Sequence, residues 1–114
     1  MAAVMFISTH DFATKWEMEA HMKRDLDDMA RLQDRLLELG MLSAELGVLA
    51  NTMDNQAVRK TGKFRHTGVM RFKDIEAYQK CMEALQKHDW GDHTKEISSV
   101  FRGEVHAVVY EIKP

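Results

Sequence analysis

A single cysteine, no phosphate-binding glycine loop, no excess of positive charge and no long apolar run: each shortage in this chain removes a class of protein. Cys81 cannot close an intramolecular disulfide, and its place beside the apolar stripe of a helix makes a buried, inert thiol the default. With 16 Lys and Arg against 18 Asp and Glu, the net charge of -2 gives no basic field of the kind that holds nucleic acid. No stretch approaches the roughly 20 apolar residues that cross a bilayer, so no membrane role is expected. The start Met1-Ala2-Ala3-Val4 lacks the basic flank of a secretory signal, and a cytoplasmic protein is expected. Of the six glycines, Gly62 and Gly68 stand too far from any other to cradle a phosphate.

What remains is 114 residues of ordinary globular composition, 45% hydrophobic and 30% charged. That length fits one domain spanning residues 1–114. A domain of this size buries less than about 70% of its unfolded surface, so pairing with a second copy is a natural way to gain core.

The order of elements follows from periodicity. Ala2 to His10 is apolar on both faces, as in a central strand. Asp11 or Thr14 can cap a helix whose stripe, Met18, Met22, Leu26, Met29, Leu32 and Leu36, ends at Gly40. Leu42 to Ala50 alternates like a half-exposed strand, and the polar stretch Asn51 to Gly62 suits a hairpin loop. Phe64 to Phe72 is a third strand. Asp74 can cap a second helix with the stripe Ile75, Tyr78, Met82 and Leu85, Ile97 to Phe101 suggests a helical turn, and Val105 to Ile112 is the last strand. The result is βαββαβ, an α+β, ferredoxin-like arrangement with a four-stranded antiparallel sheet in the order 4-1-3-2.

In that topology all six histidines fall toward one end of the sheet. His10 closes the first strand, His66 opens the third and His106 opens the fourth. His21 sits in the second turn of the long helix, and His88 and His93 follow the second helix. Histidine titrates near neutral pH and is the commonest metal ligand, so the cluster suits acid-base chemistry or metal binding. His10, His66 and His106 are the catalytic candidates on that reading; on the plainer one they are strand-end polar residues that cap loops and satisfy backbone groups. His21 with Asp25 four residues on makes a helical neighbour pair, which reads either as an oriented base or as a solvated edge pair. Arg65 and Arg71 share one face of a central strand, where they need an anion or carboxylate partners. Trp16 and Trp90 are expected to line the cavity or fill core. The nine methionines read as adaptable packing.

Element order, chain length and the Trp90 to Phe101 segment resemble the dimeric α+β barrel superfamily over nearly the whole chain. That superfamily includes antibiotic-biosynthesis monooxygenases, small polyketide cyclases, muconolactone isomerases, YciI-like proteins and haem-degrading monooxygenases. The asparagine, tryptophan and histidine pattern of the haem degraders is not reproduced. The resemblance implies a homodimer with a pocket between the sheet and the first helix. It implies action on a small aromatic or polyketide-like organic anion, by oxygenation, cyclisation or isomerisation without a cofactor. In such a site His66, His106 or His10 would be the base and Arg65 would steady the developing anion; Trp16, His21, Asp25, Arg71, Trp90 and His93 would contact the ligand. Two alternatives share the fold: a metal or haem protein using His10, His66 and His106 with His93 or Asp92, and a ligand sensor without chemistry.

Overall fold

Thr14 interrupts extended chain to start the long helix. Its backbone is extended (φ -131°, ψ 154°) and its Oγ1 accepts the Glu17 N–H at 3.1 Å, satisfying a donor that the first helical turn leaves open. The computed structural model describes residues 2–61, 64–87 and 104–113. Strand β1 (Val4–Phe12) leads into helix α1 (Lys15–Glu38), then strand β2 (Met41–Val48). A short 3-10 turn (Met53–Asn55) and helix α2 (Gln56–Thr61) precede strand β3 (Phe64–Phe72). Helix α3 (Ile75–Lys87) and strand β4 (Glu104–Glu111) complete the described elements. The expected helical turn at residues 97–101 lies outside the described residues.

The four strands form one open antiparallel sheet in the order β2-β3-β1-β4, the expected order. Two differences from the periodicity have local causes. Strand β1 runs two residues past His10, because Asp11 and Phe12 still pair with Arg65 and Phe64 across β3. The expected loop between β2 and β3 instead contains α2. Its Ala57, Val58, Arg59 and Lys60 can hold a turn of helix, and the Asn55 side chain donates to the Ala50 carbonyl at 3.1 Å to close the preceding bend.

Helices α1 and α3 cover one face of the sheet. The main core joins Val4, Met70 and Phe72 from the strands to Leu32 and Leu36 of α1 and to Ala77, Cys81 and Leu85 of α3. Asp74 caps α3 as expected, its Oδ1 accepting the Ala77 N–H at 2.8 Å. The stripe of α3 is rotated from the expected one: Ile75 is exposed, and Ala77, Cys81 and Leu85 turn inward. The Cys81 thiol donates to the Leu36 carbonyl at 3.5 Å, and burial pushes its pKa up, which suits an inert core thiol.

Gly40 makes the reversal from α1 to β2 possible. Its φ of 112° is one that side chains disfavour, and a Cβ there would lie 2.6 Å from the Ala77 Cβ. Gly40→Ala is therefore expected to lower the unfolding free energy by about 2 kcal/mol or more, adding backbone strain to a core clash. A urea titration measures this directly, and an unchanged midpoint would refute it.

Candidate functional site

A second, smaller apolar cluster, Phe12 and Met18 backed by Phe64 and Met22, lies at the far end of β1. Polar side chains occupy the layer next to it. His10 and His66 are directly paired across the β1–β3 ladder, so their side chains leave the same face of the sheet. Their rings stack with centroids 4.9 Å apart. His21 comes down from α1 to meet both, with ring centroids 4.5 Å from His10 and 4.8 Å from His66. Phe12 closes the layer on the outside, 5.2 Å from His21 and 5.4 Å from His66. His66 is 1% exposed and His21 4%, while His10 is half-buried.

The polar contacts form a short chain. Asp25 Oδ2 lies 3.0 Å from His21 Nδ1, and the same nitrogen lies 2.9 Å from His66 Nε2. His10 Nε2 is 2.9 Å from the Ser8 hydroxyl. His66 Nδ1 is buried without a hydrogen-bond partner among the described residues. Burial, followed by the nearby His21, lowers the pKa of both His10 and His66 from 6.5 to about 4, so both rings are neutral near pH 7.

Beside this layer, between the sheet and α1, lies a cavity of about 290 Å³, at the lower end of the range for small-molecule sites. Its existence depends on small side chains. Gly68, Ser8 and Ala107 stand next to one another across β3, β1 and β4, and Ala44 lies in the neighbouring row of β2. They leave space beneath α1, whose Leu26 and Met29 line the opposite wall together with Met82 and Leu85 of α3. Asp25, His21, His10 and His66 provide one polar end. No lysine or arginine lines the cavity among the described residues.

No family model and no curated protein matches the sequence. The structure resembles a dimeric ferredoxin-like protein from an uncultured marine organism at TM-score 0.79 and 12% identity, covering 100% of this chain and 98% of the other. A second such protein, also from an uncultured marine organism, aligns at TM-score 0.72 and 23% identity, over 98% and 95% of the two chains. The fold is ferredoxin-like. A mutant of SnoaB, a cofactor-independent oxygenase from Streptomyces nogalater, shares it at TM-score 0.61 and 12% identity, over 100% and 96% of the two chains.

Within the ferredoxin-like sheet the expected site residues separate. His10, His66, His21 and Asp25 come together at the cavity. His21 and Asp25 belong to the centre itself, which sets aside the reading of a solvated edge pair. His106 pairs with Thr9, one position away from the His10–His66 row; Val105 holds the place opposite His10. Arg65 follows the alternation of the strand to the other face. There its Nε and Nη2 donate to Asp11 Oδ1 and Oδ2 at 2.6 and 2.8 Å. It does not line the cavity, so the expected role of Arg65 in steadying an anion is withdrawn. Arg71 is exposed and also off the cavity. Trp16 is 68% exposed and no part of the wall. Trp90, Asp92, His88 and His93 lie outside the described residues. The sequence reading missed Ser8, Gly68, Ala44 and Ala107. Their signal was the small residue between two large ones on a strand face, as in Phe6-Ser8-His10 and His66-Gly68-Met70.

Proposed function

We propose that this chain is a small homodimeric enzyme that takes an aromatic or polyketide-like molecule into the cavity and removes a proton from it at the histidine centre. The observation that carries this reading is the Asp25–His21–His66 chain at the polar end of a mainly apolar cavity, whose other polar lining residues are Ser8 and Glu45 among the described residues. With no lysine or arginine in the described wall, the ligand best suited to enter is neutral, with an acidic hydroxyl or an enolisable carbon. The anion expected from the sequence would then form inside. A neutral imidazole with pKa about 4 is a weak base in the empty cavity. An anion developing a few ångströms away in a low-dielectric site raises the imidazole pKa as the proton moves, and the Asp25 carboxylate balances the charge gained by the imidazoles. His66 or His10 is the group nearest to act as base, with His21 and Asp25 behind it. Oxygenation, cyclisation and isomerisation all begin with such an enolate or phenolate; the oxygenation would also consume dioxygen. The shared fold with a cofactor-independent oxygenase supports this class of chemistry. The homodimer is supported by the dimeric ferredoxin-like neighbours and by exposed Val108 and Tyr110, which pair with Ile7 and Met5 across the ladder on the face away from the helices.

The test is a panel of neutral phenols and 1,3-dicarbonyl compounds offered to untagged protein, with oxygen uptake and product mass as readouts. His66→Ala and His10→Ala are expected to lower turnover at least about 100-fold while ligand affinity changes less than about tenfold. Turnover untouched in variants of His10, His21 and His66 would end the proposal; tight binding without product in the parent would make the chain a sensor.

A further inference from the structure

The contacts of the histidine centre cannot all be satisfied by protons. If His21 Nδ1 carries a proton, that single hydrogen faces two acceptors, Asp25 Oδ2 at 3.0 Å and His66 Nε2 at 2.9 Å. If the proton sits instead on His66 Nε2, the Asp25 carboxylate faces a bare lone pair on His21. No placement of protons on two neutral rings satisfies every contact, and His66 Nδ1 has no partner among the described residues although the residue is 1% exposed. A cation in the centre removes the conflict.

We propose that His10, His21 and His66 bind one divalent first-row transition metal ion, with Asp25 as the supporting carboxylate and an open coordination position toward the cavity. The three rings come from β1, α1 and β3, and one nitrogen from each lies within 4.8 Å of the others. A tetrahedral ion with bonds of about 2.0–2.1 Å holds its donors roughly 3.3 Å apart, so side-chain rotations of about an ångström complete the set. Three imidazoles suit zinc, cobalt, nickel or copper rather than calcium or magnesium, which require oxygen. Asp25 is close enough to fix the His21 tautomer or to enter as a fourth, anionic donor. Three protein ligands beside a cavity is the pattern of a metal site that binds an exogenous group, and the ion would supply there the positive charge that the described wall lacks.

An imidazole that holds the ion has given up its basic lone pair, so the metal and the histidine base are alternative uses of the same three rings; the metal is read by binding alone, and either reading can fail without the other. Untagged, chelator-treated protein is titrated with zinc alone by calorimetry, and with cobalt alone by visible absorption. The expected result is one ion per chain with the d–d band of a low-coordinate nitrogen site. Affinity should fall at least about tenfold in Asp25→Asn and further in His10→Ala and His66→Ala, with no change in Lys23→Ala, an exposed position of α1 paired with Asp27. Half-buried His10 is the safer change, and it decides the matter if His66→Ala fails to fold by circular dichroism. No stoichiometric binding, or binding unchanged in a folded His10→Ala protein, would overturn the assignment.

Discussion

Acidification from pH 6.5 to pH 4 is expected to cost the metal-free protein on the order of 3 kcal/mol of folding stability, beyond what its surface carboxylates lose. The sign follows from the two buried rings. His10 and His66 titrate at about 4 in the folded chain and at 6.5 when unfolded, so between those values the unfolded chain binds more protons. Stability is fully present above pH 6.5, falls as pH drops through the window and levels off below about 4. The buried His66 alone corresponds to about this much; His10 adds a share discounted for its partial exposure, and repulsion between the two rings once charged acts in the same direction by keeping protons off the folded pair. Urea midpoints at half-unit intervals measure the slope, and carbon-detected imidazole shifts report the two rings directly. A His10→Gln, His66→Gln double variant should flatten the slope. Rings that titrate near 6.5 in the folded protein would sink both the prediction and the electrostatic picture of the centre.

The same pair shows what the chain disclosed and what it withheld. Periodicity alone located every main strand and both long helices, because a two-sided apolar strand or a three-four stripe is a local property. The His10–His66 pairing was legible too, since antiparallel strands of known order bring a closing residue opposite an opening one. The place of His106 was not, because it depends on a register with β1 that slides by single residues, and one position separates its partner Thr9 from His10. Arg65 failed for a related reason: it and His66 are sequence neighbours, which on a strand means opposite faces, and its carboxylate partner Asp11 lay in a stretch read as a helix cap. The role of His21 depended on how deeply α1 sinks onto the sheet at that turn. Helical spacing put His21 beside Asp25, but only packing could decide whether the pair met solvent or His66. Leu26, on the expected stripe, is 54% exposed and lines the cavity above the small residues of the sheet.

Filling the cavity separates it most sharply from the chemistry. Gly68→Leu is expected to reduce ligand affinity and turnover together, at least about 100-fold, while unfolding free energy changes by no more than about 1 kcal/mol. A Cβ at Gly68 would meet only Leu46 Cδ1, at 3.9 Å, so the first carbon fits without displacement and the rest of the side chain extends into the cavity. Glycine in a strand interior weakens it relative to any side chain that fits, so the substitution gains local stability that offsets residual crowding against Met29 or Met82. The histidine variants make the opposite demand, losing turnover while affinity holds. The two readouts can therefore be set against each other: calorimetric affinity for a ligand found in the phenol and dicarbonyl panel, and zinc binding by the same protein. If the cavity is the ligand site and the histidines its reactive wall, Gly68→Leu abolishes ligand binding and spares zinc, because the substitution stands one row away from the three rings. A Gly68→Leu protein that folds, binds zinc and still binds ligand at parental affinity would place the ligand elsewhere on the molecule and detach the cavity from the function proposed for it.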